Sequence, residues 1–104
     1  MKTKFKLLTW NIEDDCIFSR DFENENEAIE TAQALGNRRV CPHDVISILR
    51  TKKIGHRWEL AVWSIDSPQK MEYVSFYSKK DAIFATKVIK EYDDTLKTQL
   101  TKTY

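Results

Sequence analysis

RWELAVWSID, residues 57–66, reads nearly as KFKLLTWNIE, residues 4–13. At a spacing of 53 positions, Lys4 matches Arg57, Phe5 matches Trp58, Leu7 matches Leu60, Trp10 matches Trp63, Ile12 matches Ile65 and Glu13 matches Asp66. Both stretches alternate and are rich in large apolar residues, the pattern of strands whose side chains point to opposite faces in turn. The repetition speaks for a duplicated scaffold, and a scaffold alone does not name an activity.

Working outward, each strand runs into a polar turn, EDD at 13–15 and DSPQK at 66–70, and then into a second strand, at 16–22 and 71–77. Acidic residues and Pro68 suit such turns, the one by bonding nearby amides and the other by fixing its backbone angle. The repeat continues at a spacing of 54, pairing Phe22 with Phe76, Asn24 with Ser78, Glu27 with Asp81, Ala28 with Ala82, Ile29 with Ile83 and Leu35 with Ile89. Asn24 and Ser78 each stand three residues before a carboxylate, which predicts two helix N-caps. Gly36 closes the first helix as a residue just past its end. The second helix is expected over about 79–98, with Ala82, Ala85, Ile89, Tyr92, Leu96 and Leu100 near one stripe. Between the halves, DVISILRTKK (44–53) reads as a bridging strand that IGHR turns back at Gly55. The expected order is β-β-α-β-β-β-α, an α+β protein of two tandem ββα-like units with one antiparallel sheet and both helices on one face. Residues 1–104 form a single domain in this reading, with the repeat at 3–36 and 56–98.

A chain of 104 residues buries about two-thirds of its unfolded surface, enough for a core without staples. Cys16 and Cys41 form no close pair, which fits free thiols in a reduced, cytoplasmic protein. No apolar run approaches a membrane span or a secretory leader, so no membrane partner is expected. The near balance of 17 basic and 16 acidic residues conceals a division. Residues 1–36 carry 4 basic and 8 acidic side chains, whereas residues 37–104 carry 13 and 8.

Chemistry-bearing motifs are sparse. CPHD at 41–44 places Cys41, Pro42 and His43 together, but Cys16, Cys41, His43 and His56 stand at none of the usual zinc spacings. A Cys–His nucleophile lacks an orienting third group and an oxyanion site. Two glycines, Gly36 and Gly55, make no phosphate loop. The acidic run ENENE opens a helix, where carboxylates are electrostatically expected. No catalytic residue, metal or small-molecule cofactor is expected, and the reading is of a binding protein.

RTKKIGHRW, 50–58, is the exception: Arg50, Lys52, Lys53, His56 and Arg57 fall within one expected hairpin, with Lys70, Lys79 and Lys80 at the next turn and helix start. Lys and Arg on a two-stranded ribbon neutralise phosphates and fit a major groove. Residues 52–92 resemble the arm-type DNA-binding domain of phage and transposon integrases, a three-stranded sheet followed by a helix. The likeness rests on basic residues before Gly55, Trp58 and Val62, Asp66 and Lys70 around a turn, and Phe76 just before SKKDA. It implies a phage or mobile-element protein that lays its sheet in the major groove through Arg50, Lys52, Arg57 and Lys70. Where the family's third strand is basic this chain has KMEYVS with Glu72, and no recombinase catalytic domain follows within it, so binding rather than recombination is expected. The alternative is a protein-interaction module or inhibitor. If Trp58, Leu60 and Val62 face the helices, Ala61, Trp63 and Ile65 face the other way, and so by the repeat do Leu8, Trp10 and Ile12. That apolar face suits a protein partner or a homodimer.

Overall fold

The two halves of the chain fold with the same order of elements, each one strand longer than the apolar pattern suggests. The computed structural model describes residues 4–37, 42–52 and 55–103. In order, these form β1 (Lys4–Asn11), β2 (Cys16–Phe22), α1 (Glu25–Leu35), β3 (His43–Thr51), β4 (Trp58–Ser64), β5 (Ser67–Phe76), α2 (Lys79–Tyr92) and β6 (Lys97–Lys102). The class is α+β, as expected. The single sheet, however, is two antiparallel sheets of three strands, ordered β2-β1-β3 and β5-β4-β6.

The pairing gives the reason. β3 is no bridge: it lies along β1 from Lys4↔Thr51 to Asn11↔His43 and completes the first unit. β6 takes the same place beside β4, from Trp58↔Lys102 to Trp63↔Lys97, and it begins 54 positions after β3. The repeated unit is therefore ββαβ, and the first sheet is full before β4 starts.

The expected long second helix stops at Tyr92. Asp93 takes an extended conformation, and its carboxylate accepts from the Thr95 amide at 3.0 Å and the Thr95 hydroxyl at 2.7 Å. This local bonding competes with another helical turn. The alternating KTQLTK that follows is threonine-rich and forms the edge strand, with Leu96 buried and Leu100 opposite Leu60. The caps are as expected: Asn24 accepts from the Asn26 amide at 2.7 Å and Ser78 from the Asp81 amide at 3.1 Å. Gly36 closes α1 in a right-handed conformation, φ −76°. Its reason is close approach instead, since a Cβ would lie 3.1 Å from the Ala32 carbonyl oxygen and 3.3 Å from Val45.

The two faces of the first sheet bury different things. Leu7 and Phe22 pack with Ala28 and Ala32 of α1. Leu8, Trp10, Ile17 and Leu49, on the opposite face, join Leu60, Val62, Val74 and Phe76 of the second sheet and Ala82, Ala85 and Ile89 of α2 in the larger core. Helix α2 accordingly lies against β3 as well as its own sheet, and β2 lies against β4 and β5. Ile29 and Ile83, matched by the repeat, are both exposed on the outer sides of their helices.

Lys6 sits on the inter-sheet face, 4% exposed, with its ammonium 2.6 Å from Asp21 on the paired strand and 5.2 Å from the Phe76 ring centre. A buried ion pair is costly to break from one side, because the remaining charge is left without a partner. Asp21→Ala is expected to lower stability by about 2 kcal/mol, discounted for its partial exposure, whereas Lys6→Met stays within about 1 kcal/mol of the parent. Urea unfolding of both variants checks this. A second expectation concerns Asp93, whose carboxyl is held below its ordinary value of 3.8 by the Thr95 hydroxyl and then the Thr95 amide. A depressed folded value means that its contribution is complete above the ordinary value and lost as pH falls through the folded one. Melting temperature measured against pH should fall less steeply at that acid limb for Asp93→Asn.

Candidate nucleic-acid interface

The expected basic hairpin does not form as a ribbon. β3 pairs with β1 and β4 pairs with β5 and β6, so residues 50–57 connect two sheets. What the fold does with their charge is more useful. The last residues of β3, the turn before β4, the start of α2 and the end of β6 meet at one end of the protein, bringing together Arg50, Lys52, Arg57, Lys79, Lys80 and Lys102. The backbone fixes the meeting: the Thr103 amide donates to the Arg57 carbonyl at 2.7 Å, the Thr103 hydroxyl to the His56 carbonyl, and the Arg57 amide to the Phe76 carbonyl at 3.1 Å. From the other unit, the Lys52 amide donates to the Asp81 carboxylate at 3.2 Å. A cleft of about 290 Å³ lies along this seam, lined by Arg50, Thr51, Lys52, Ser78, Lys80 and Asp81.

Aromatic rings hold several of the cations. Lys79 and Lys102 lie over Trp58, 5.4 and 5.9 Å from the ring centre, Arg57 lies 4.9 Å over Tyr77, and Arg50 lies 5.8 Å over Phe5. A ring face orients a cation without cancelling its charge, as a carboxylate would. Arg50 also reaches Glu25 at 3.6 Å. Lys52, Arg57, Lys79 and Lys80 form no ion pair among the described residues. Gly55 is needed beneath Tyr77, because a Cβ there would stand 2.9 Å from its ring.

Two of these lysines sit where local physics disfavours them. Lys79 and Lys80 open α2, and the positive end of a helix favours carboxylates; Asp81 alone supplies one in the first turn.

The remaining sequence candidates separate. His56 is exposed on the turn at the basic end, whereas Lys70 lies six residues before Phe76 on β5, about 20 Å along the strand. Lys53 and Cys41 lie outside the described residues. His43 is buried, with its Nδ1 2.9 Å from the Thr9 hydroxyl and its ring edge-on to Phe18 at 5.5 Å. Burial, then Asp14, pushes the Cys16 thiol above its ordinary value, the opposite of an activated nucleophile. No three His, Cys, Asp or Glu side chains among the described residues are grouped to hold a metal.

The apolar face expected to meet a protein partner is covered in the first unit and stays open in the second. Leu8 and Trp10 lie in the core between the sheets, where Trp10 also donates to Asp15 at 3.3 Å, and Ala61 is 6% exposed. The repeat places Trp10 and Trp63 at the same position in their units, but the second unit covers only the first unit's version of that face. Ile12 and Ile65 are exposed and Trp63 is half-buried.

Lys102 was not legible as a member of the basic group, because it belongs to a strand that the apolar stripe disguised as helix. The available signal was the lysine at each end of an alternating, threonine-rich run. A depression of about 710 Å³ is lined by Lys4, Arg20, Asp21, Phe22, Glu23, Asn24 and Glu27. There Lys4 already pairs with Glu23 and Lys6 with Asp21. No family model matches the chain, nor does any curated protein or solved structure.

Lys80→Glu should stabilise the protein by about 0.5 kcal/mol at low ionic strength, with salt erasing the gain, because a carboxylate replaces a cation at the positive helix end. Lys79→Glu also loses the Trp58 contact and should gain less. Thermal unfolding at two salt concentrations measures it.

Proposed function

We propose that this protein binds nucleic acid, without catalysis of its own, through the basic end built around the start of α2. The observation that carries the reading is the convergence of six cations from four chain segments, four of them lying over aromatic rings. Phosphate backbones are the polyanion that such clusters neutralise, and the release of their counterions supplies most of the affinity. Lys79 and Lys80 support the same reading, since both weaken the helix they begin and both would be favourable beside a phosphate.

The resemblance to the arm-type domains of integrases led to the same chemistry by a different geometry. Its ribbon of Arg50, Lys52, Arg57 and Lys70 is replaced here by an end-on cluster, in which Lys79, Lys80 and Lys102 stand in for Lys70. A protein partner through Leu8 and Trp10 is disfavoured because both side chains are already buried.

Fluorescence anisotropy with labelled oligonucleotides tests the proposal. Binding should weaken steeply with salt, and Ala at Lys52, Arg57 and Lys80 together should weaken it on every sequence while lowering the slope of log affinity against log salt by about 2. These three side chains are exposed, so the fold should survive. Unchanged affinity would remove this end of the protein from the account, and absence of binding at low salt would remove nucleic acid altogether.

A further inference from the structure

We infer that the nucleic acid is single-stranded and that its bases stack on Tyr73 and Trp63 across the open face of the second sheet. This rests on the basic end described above and extends it to a second surface.

The register defines the face. Ala61 pairs with Tyr73 and Gln99, Glu59 with Ser75 and Thr101, and Trp63 with Lys97, so these side chains share the side of the sheet opposite Leu60 and Val62. β4 stays regular along β6 through Trp63, while the irregularity in its pairing with β5 falls between Val62 and Ser64. The helix and strand that pack on the second sheet are α2 and β2. Leu60, Val62, Val74 and Phe76, of the opposite face, share their core with Ala82, Ala85 and Ile89 of α2 and with Ile17 of β2. Tyr73 is 57% exposed, and Trp63 is the diagonal neighbour of Tyr73 across the small Ala61.

The character of the face selects its occupant. Two aromatic rings around an alanine make a flat apolar floor, and around it stand Ser75, Gln99, Thr101 and Lys97, with Glu59 as the one carboxylate that the pairing brings there. Protein interface cores are depleted in charge, whereas Lys97 and Glu59 flank this apolar centre. Bases, in contrast, have an apolar surface for stacking and polar edges for hydroxyl and amide partners. Cations stand at both ends of the edge strand, Lys97 opposite Trp63 and Lys102 beside Trp58, about 17 Å apart along the strand. Lys97 stands on this face and Lys102, opposite Trp58, on the other, so the cation that continues the face toward the basic end is Arg57 over Tyr77. A backbone anchored there can follow β6 to Lys97 with its bases turned onto the rings. A duplex cannot present base faces in this way without unstacking.

The test uses the whole protein with labelled short oligo-dT, oligo-rU and a duplex of equal length, and with Tyr73→Ala and Trp63→Leu as variants. The parent should prefer at least one of the single strands to the duplex, and each variant should lose roughly five- to a hundredfold of that affinity, as stacking on one ring predicts. Near-UV circular dichroism and melting confirm the fold, and the exposed Tyr73 serves even if the Trp63 variant is unstable. The oligo-dT and oligo-rU arms separate DNA from RNA, and affinity for one of them suffices. Tighter binding of duplex, or affinity that Tyr73→Ala leaves unchanged while the basic triple variant reduces it, would overturn the inference and leave the basic end standing. Self-association in sedimentation experiments that Tyr73→Ala abolishes would make the face a docking surface for a second copy and also overturn it. Loss of all binding in the parent would instead sink the underlying nucleic-acid reading.

Discussion

Strand β1 must be buried on both faces, and the architecture follows from that demand. Leu7, Leu8, Thr9 and Trp10 are consecutive and all buried, which no strand on a half-open sheet sustains. Helix α1 takes the Leu7 side; the Leu8 and Trp10 side needs a second layer, and the other unit provides it. The first unit thus depends on the second for half of its core. Even the polar groups on that side are accommodated locally: Lys6 is paired with Asp21, and no buried side-chain donor or acceptor among the described residues lacks a partner.

This dependence explains what could and could not be read from the chain. The ββα repeat, both caps and the helix-facing alanines are local features, fixed by spacings of a few residues, and they stand where the sequence puts them. The division into two sheets is not local. It depends on β3 choosing β1 over β4, and nothing in DVISILR distinguishes those partners. A clue lay in the mismatch between the two copies, since LLTW is continuously large whereas LAVW interrupts its outer face with Ala61. The misplaced strand β6 has another cause: Leu96 and Leu100 continue the spacing of Ile89 and Tyr92, so a helical stripe and a strand fitted the same residues. Asp93 and Thr95 decided between them through hydrogen bonds that a hydrophobic pattern does not contain.

The basic residues show a similar division. Arg50, Lys52 and Arg57 were visible because they are close in sequence, and the ribbon that proximity suggested does not exist. Their grouping is tertiary, set by the packing of α2 against β3 and by the pairing of β4 with β6. That is also why Lys102 joins and Lys70 leaves. Sequence distance misleads most where strands pair across the chain, because one ladder brings residue 58 to residue 102 while a few positions along β5 carry Lys70 away.

The two units have come to differ in the surfaces they leave open. The first carries the acidic helix, and lysines bind carboxylates around the depression beside it. The second carries a basic helix start, where lysines and an arginine lie over aromatic faces and Lys52, Arg57, Lys79 and Lys80 keep their charge uncancelled. Selection for helix stability alone would have placed a carboxylate at position 80, and at position 79 the contact with Trp58 only partly offsets the unfavourable charge. On the proposed reading, these local choices that work against the helix, gathered where several segments deliver positive charge, serve an anionic partner and not the fold. The same asymmetry extends to the sheets. Trp10 spends its surface on holding the units together, whereas Trp63, its counterpart, lies on a face that no helix or strand of the described chain needs. The two units present corresponding faces, and the core uses just one of them.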